Sequence, residues 1–236
     1  LTYSIEEVAN ARASDIQSGP ASSTFILEWQ GASQRVTLPV PGGFNISNAL
    51  AALLVVSRTL DLPLWDVAAH LRELRTLTGR MTPVERGQPF TVIVDFAHTP
   101  DSFEKLLPEV KNNTRRRLIV VFGSAGERDT AKRPLQGKIA SLYADVVILA
   151  DEDPRGEDPK RILDDIAAGC EGLAGDELLL IPDRRRAVKK AISIARAGDT
   201  VLLLGKGHET TIAYEAGDIL WDEEQVARKC LSEAGF

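Results

Sequence analysis

The chain is poor in the features that mark secreted, membrane or nucleic-acid-binding proteins. It has two cysteines, Cys170 and Cys230. That is too few for a disulfide framework and suits a reducing cytoplasm, the expected location. No apolar run is long enough to span a bilayer, and even Ala49–Val56 falls far short. No signal peptide is evident. The formal net charge is −6, which lacks the basic footprint of broad nucleic-acid binding but leaves room for a local basic pocket. There is no Gly-x-x-x-x-Gly-Lys-Ser/Thr phosphate loop, no GxGxxG, no repeat and no low-complexity segment. The first residue is Leu1, with no Met before it; a processed protein or an excised piece would both give that. The 236 residues are 44% hydrophobic and 26% charged. They suit an ordinary globular chain of one large domain, or one domain plus part of another.

Two regions read differently. Thr24–Trp29 and Arg35–Val40 alternate as strands around the polar turn Gln30–Ser33, predicting a hairpin. After Pro41-Gly42-Gly43, apolar residues at helical spacing predict a helix over Asn45–Leu60, and Pro63–Leu74 fits a second. This segment shows no obvious core of its own. From about Met81 short apolar runs recur: Thr91–Val94, Leu118–Phe122, Val146–Leu149, Leu178–Ile181 and Thr200–Leu204. Helical stretches at Asp101–Lys111, Arg133–Tyr143, Pro159–Cys170 and Arg184–Ala197 separate them. That alternation predicts an α/β fold with a doubly wound, Rossmann-like, mostly parallel sheet. The polar tail Tyr214–Phe236 predicts an edge strand and a last helix.

Ligands of open α/β sheets bind beyond the carboxyl ends of the strands. Four of the five strands are followed there by polar, charged or glycine-rich segments: DFAHTPD (Asp95–Asp101), GSAGERDTAKRP (Gly123–Pro134), ADEDPRGEDP (Ala150–Pro159) and GKGHE (Gly205–Glu209). Each has a plain reading too. His98 could simply precede the helix-start residues Thr99-Pro100-Asp101. Arg128, Lys132 and Arg133 could be a solvated helix face or an anion grip. Gly205 and Gly207 let the backbone approach a ligand closely. Asp158-Pro159 reads as an N-cap and first helical residue, with Glu157 favouring the helix dipole. Asp151, Glu152 and Asp153 escape that explanation. Arg155 among them counts against a metal site and favours a ligand carrying both charges.

Together GRM (Gly79–Met81), DFAHTPDSFEKLL (Asp95–Leu107), VFGSAGERDTAKRP (Val121–Pro134), DEDPRGEDP (Asp151–Pro159), DRRRAV (Asp183–Val188) and LLGKGHE (Leu203–Glu209) resemble, in order, the Mur ligases of the E type. Upstream, GGFNISNALAA (Gly42–Ala52) resembles the closing helix of that family's central ATPase domain. The resemblance implies residues 1–80 as the end of that domain and 81–236 as the C-terminal Rossmann-like domain. It implies an ATP-dependent ligase that adds the third residue, meso-diaminopimelate or lysine, to a UDP-N-acetylmuramoyl-dipeptide through an acyl phosphate. ATP and magnesium serve that reaction, but the phosphate loop and the magnesium ligands are expected outside this chain. The chain alone is therefore expected to be inactive, with no catalytic residue or metal ligand of its own. By matched position, Asn48, Arg80, Asp95 and His98 are implied to meet ATP. Arg128, Asp153, Arg155, Gly205 and Glu209 are implied to form the amino-acid pocket.

The chain departs from the family pattern at Phe96 (usually tyrosine), Ser124-Ala125 (usually Cys-Gly), Glu127 (usually aspartate) and Asp153 (usually asparagine in the diaminopimelate enzymes). Asp153 would repel the distal carboxylate of diaminopimelate and attract the ammonium of lysine, whereas Arg155 favours the carboxylate. Direct arginine–carboxylate pairing tips the reading to diaminopimelate. Alternatives are a lysine-adding homologue, another amide ligase of the superfamily, or a non-catalytic nucleotide- or partner-binding protein derived from a truncated ligase. The absent GxGxxG argues against an NAD-dependent dehydrogenase.

Overall fold

A computed structural model describes residues 1–19, 22–74 and 78–236. The chain forms two compact units, Leu1–Thr76 and Leu77–Phe236. In the first, strands β1 (Tyr3–Ser4), β2 (Ala11–Ser18), β3 (Ser23–Trp29) and β4 (Ala32–Leu38) form one sheet in sequence order. Helices α1 (Gly43–Thr59) and α2 (Leu64–Ala69) and a 3-10 turn at Leu71–Glu73 follow. The predicted hairpin is β3–β4. The second predicted helix stops at Ala69 rather than Leu74.

The unit does have a core, which corrects the sequence reading. Phe25, Leu27 and Leu38 of the sheet pack with Ile46, Leu50 and Leu53 of α1 and Leu64 of α2. Strand β2 went unseen because ARASDIQS turns only Ala11 and Ala13 fully inward. Two small apolar side chains give a weak period-2 signal.

The second unit is the doubly wound sheet. Its strands are β5 (Thr82–Pro83), β6 (Thr91–Asp95), β7 (Leu118–Phe122), β8 (Val146–Leu149), β9 (Leu178–Leu180) and β10 (Thr200–Leu204), in the order β5-β6-β10-β7-β8-β9. All pairs are parallel except β5–β6. The intervening helices are α3 (Pro100–Asn113), α4 (Lys132–Tyr143), α5 (Pro159–Ala167) and α6 (Arg184–Ile194). Val94, Val121, Ile148 and Leu203 pack with Ala187 and Ala191 of α6. Their alternate neighbours serve the opposite face, where Phe122 meets Phe103 of α3 edge to face at 5.0 Å. The chain steps outward to β9 and then returns to place β10 between β6 and β7. That reversal brings the ends of β6, β10, β7 and β8 side by side, which is the crevice such sheets use.

The tail corrects another expectation. It holds no edge strand of the main sheet. Strands β11 (Thr211–Tyr214) and β12 (Gly217–Leu220) form their own antiparallel hairpin before helix α7 (Glu223–Glu233). Residues Ala227, Cys230 and Leu231 of α7 join the core beside α6. No described helix is long and apolar enough to cross a membrane.

Candidate functional site

At the end of β6 the chain turns on a buried carboxylate. Asp95 accepts hydrogen bonds from the amides of Ala97 and Met81, one on each oxygen, both at 2.8 Å. Burial pushes its pKa up, while the two amides and Arg80 oppose the shift. Asp95 thereby ties Gly79–Met81 to the sheet. The Arg80 guanidinium lies 5.0 Å from the centre of the Phe96 ring. That ring in turn lies 4.7 Å from the His98 ring and 4.8 Å from the His208 ring. His98 Nδ1 donates to the Phe96 carbonyl at 2.9 Å. The His98 carbonyl accepts from Lys132 Nζ at 3.1 Å and Gln136 Nε2 at 3.0 Å. Thr99 and Ser102 form a capping box that starts α3.

Glycines permit this convergence. A Cβ on Gly79 (φ 73°) would lie 2.1 Å from the His208 nitrogen, and one on Gly207 (φ 46°) would lie 2.6 Å from Phe96 Cβ. Gly123 and Gly126 act alike after β7. A Cβ on either would meet a carbonyl oxygen, that of Ala150 or Pro154, at 2.0 Å. The glycine turn therefore serves to close the β7 loop onto the β8 loop, with Gly126 N donating to the Asp153 carbonyl at 2.8 Å.

The arginines of the β7 loop divide. Arg133 is 1% exposed and pairs with Glu157 at 2.9 Å and Asp165 at 3.0 Å. This corrects both readings of Arg133 as a solvated cation or an anion grip. Glu157 is structural as expected, held by Arg133 and the Glu127 amide just before α5. The Glu127 amide is the main cause of its lowered pKa. Asp158 caps α5 as expected. Arg128 is exposed and has no ion pair among the described residues.

The acids of Asp151–Asp153 are each taken up differently. Asp151 accepts from the Tyr214 hydroxyl at 2.9 Å, and burial raises its pKa to about 6. Glu152 is buried, its Oε2 has no hydrogen-bond partner, and burial raises its pKa to about 7. Nearby Lys132, Arg184 and Lys206 limit that rise. A Cβ on Gly205 would lie 2.7 Å from Glu152 Oε2. Asp153 Oδ1 accepts from Lys206 Nζ and from the Ala213 amide, both at 2.9 Å. Lys206 also pairs with Glu209 at 2.7 Å. The Arg155 backbone (φ 55°) joins the hairpin by donating to the Ala213 carbonyl at 2.9 Å. Its half-buried guanidinium has no partner among the described residues.

Sequence reasoning missed what holds these loops in place. The side chains of Arg184 and Glu223 are fully buried and paired at 2.8 Å. Arg184 also donates to the carbonyls of Leu204 at 2.7 Å and Asp151 at 3.1 Å, at the ends of β10 and β8. DRRRAV carried a local hint: Asp183 caps α6, so Arg184 enters that helix at the carboxyl edge of the sheet. Glu223, 39 residues on, carried none.

Of the residues expected to meet ATP, Arg80, Asp95 and His98 gather around Phe96, and Asn48 lies exposed on α1 in the first unit. Of those expected to form the amino-acid pocket, Asp153 and Glu209 converge on Lys206 and Gly205 lies against Glu152, Arg155 is tied by its backbone to the β11–β12 hairpin, and Arg128 stands apart. A cleft of about 760 Å³ between α4 and α5, lined by Thr130, Arg133 and Arg161 among others, includes none of these residues. Among the described residues no three His, Cys, Asp or Glu side chains gather as a metal would require. After β8, Asp153, Asp151 and Glu157 are engaged by Lys206, Tyr214 and Arg133, a set that does not fit a magnesium site.

The model of the Mur ligase glutamate ligase domain matches residues 79–207, and that of the Mur ligase middle domain matches residues 1–56. A UDP-N-acetylmuramyl-tripeptide synthetase of Roseiflexus sp. (strain RS-1) is 48% identical, over 100% of this chain and 47% of that protein. A UDP-N-acetylmuramoyl-L-alanyl-D-glutamate–2,6-diaminopimelate ligase of Geobacillus kaustophilus (strain HTA426) is 40% identical, over 100% and 48%. A solved structure of a ligase of that second name matches with a TM-score of 0.65 at 33% identity, over 100% of this chain and 48% of that one. The chain spans about half the length of the curated relatives it matches.

Proposed function

The chain belongs to the Mur ligase family, and on that premise we propose that it is part of an ATP-dependent amide-forming ligase of peptidoglycan synthesis. In this reading ATP phosphorylates the D-glutamate carboxylate of UDP-N-acetylmuramoyl-L-alanyl-D-glutamate. An amine of meso-diaminopimelate attacks the acyl carbon and phosphate leaves. Residues 1–80 belong to the central ATP-binding domain and 81–236 to the C-terminal domain. Asn48 meets adenine, and Arg80, Asp95 and His98 face the ribose or phosphates. Arg155, Arg128, Asp153, Glu209 and Gly205 receive the amino acid, and magnesium is held by residues outside this chain.

The observation that carries the reading is the partnerless Arg155 guanidinium on the loop whose Asp153 is already paired with Lys206. Pairing with Lys206 removes the objection that Asp153 would repel a second carboxylate. It leaves Arg155 as the unspent charge, suited to a carboxylate. The test is ATP-dependent phosphate release by the whole ligase with the UDP-dipeptide and either meso-diaminopimelate or lysine. Turnover with diaminopimelate is expected, with a several-fold rise in its KM in Arg155→Ala. An unchanged KM in that variant would shift the reading to lysine. The chain alone, which has no phosphate loop, is expected to stay at background.

A further inference from the structure

We infer that Lys206 sets the charge balance of the amino-acid side of this site, and through it the choice between a diamino acid with one carboxylate and one with two. The inference rests on the ligase reading above. Lys206 is 1% exposed, and its ammonium sits between Asp153 of the β8 loop (2.9 Å) and Glu209 after β10 (2.7 Å). A buried ammonium is tolerable only when paired, and here two loops supply the partners. Asp153 uses Oδ1 for both Lys206 and the Ala213 amide, and Glu209 uses Oε2. Asp153 Oδ2 and Glu209 Oε1 therefore have no partner among the described residues, and neither does the Arg155 guanidinium.

The consequence is electrostatic. Asp153 and Glu209 bring two negative charges and Lys206 one positive charge between them; Arg155, two residues from Asp153 on the same loop, brings a second positive charge, so these four side chains sum to zero. A diamino dicarboxylate is itself neutral at pH 7 and meets this group without excess charge. A diamino monocarboxylate such as lysine carries one net positive charge and gains nothing from a neutral group. Neutralising position 206 leaves the group net negative, which favours the monocarboxylate. Neutralising Asp153 instead leaves it net positive, which favours the dicarboxylate. Asp151, Lys132, Arg184 and Glu223 are present in every variant, whereas Glu152 responds to both changes: Lys206 lowers its pKa and Asp153 raises it, so its protonation offsets part of each charge change without reversing it.

The test is kcat/KM of the whole ligase for meso-diaminopimelate and for L-lysine, at saturating ATP and UDP-dipeptide. Lys206→Met is expected to raise the lysine-to-diaminopimelate ratio by about tenfold, on the scale of one charge acting over a few ångströms. Lys206→Arg, which keeps the charge, is expected to hold the ratio within about twofold. Asp153→Asn is expected to move it the other way. It changes no volume, so it decides the matter if Lys206→Met does not fold. A scaffold role alone would lower both substrates together, and an unmoved ratio in these variants would overturn the inference. Wild-type enzyme that uses neither amino acid would instead sink the ligase reading, and the inference with it.

Discussion

The loops at the ends of β6 and β8 meet in one crevice but are held by opposite means. After β6 the chain is organised by backbone amides on Asp95, by stacked rings and by close glycine contacts. After β8 it is organised by charge: Arg184–Glu223 beneath, Lys206 between Asp153 and Glu209, and Arg133 on Glu157. The first kind of scaffold depends on shape and on one buried carboxylate with backbone partners, and is nearly blind to salt. The second depends on each ion keeping its partner, because an unpaired buried charge costs far more than the pair contributes. The two halves should therefore fail differently.

The sharpest way to expose that difference is to break the deepest pair. Arg184→Met leaves Glu223 buried and uncompensated, and it removes the donors to the Asp151 and Leu204 carbonyls. The expected loss is about 3–5 kcal/mol in urea unfolding. The double variant Arg184→Met/Glu223→Leu should recover a good part of it, since no lone charge remains. Equal losses in the single and double variants would mean that the pair is not what holds the β8 side.

The same contrast explains what could be read from the sequence. Strands buried on both faces read as unbroken apolar runs, so β6, β7, β8 and β10 were legible almost to the residue. Strand β2 was not, because its inward side chains are alanines. The glycine-rich and charged segments that follow the strands were legible too, and the fold sets them at the carboxyl ends of the sheet, where such sheets bind ligands. Their partners were not. Lys206 lies 53 residues from Asp153, and no local spacing announces a pair made across the sheet. Arg133 reads from the sequence as a solvated cation or an anion grip, because a cation's burial depends on acids that arrive later in the chain. The Gly79–Gly207 contact likewise shows only when β6 and β10 stand side by side.

Glu152 sharpens the comparison through pH. Its folded pKa is raised from 4.5 to about 7, so the folded protein holds this proton more tightly than the unfolded chain does. The stability it contributes is complete below about pH 4.5 and lost as pH rises through 7. Asp151, raised from 3.8 to about 6, acts in the same direction over a lower range. Wild-type stability should thus fall between pH 5 and 7.5. Glu152→Gln should flatten that fall, ending more stable by roughly 3 kcal/mol at pH 7.5. Urea midpoints across the range measure it, and parallel profiles for the two proteins would refute the assignment.

The smallest effect should come from the β6 side, and that smallness is itself the test. Arg80 is exposed; it lies over the Phe96 ring, and its charge acts only as the smallest named influence on Asp95. An exposed cation–π contact contributes about 0.5–1 kcal/mol. Arg80→Ala should therefore lower stability by no more than that. Asp95 would still hold Met81 through its amide, and Gly79 would still sit against Gly207. If the β6 end rests on shape, the loss should also be nearly the same in low and high salt when measured by urea midpoint. A loss of several kcal/mol that vanishes in salt would mean that Arg80 is an ionic anchor, and the division between the two loops would fail at the residue expected to meet ATP.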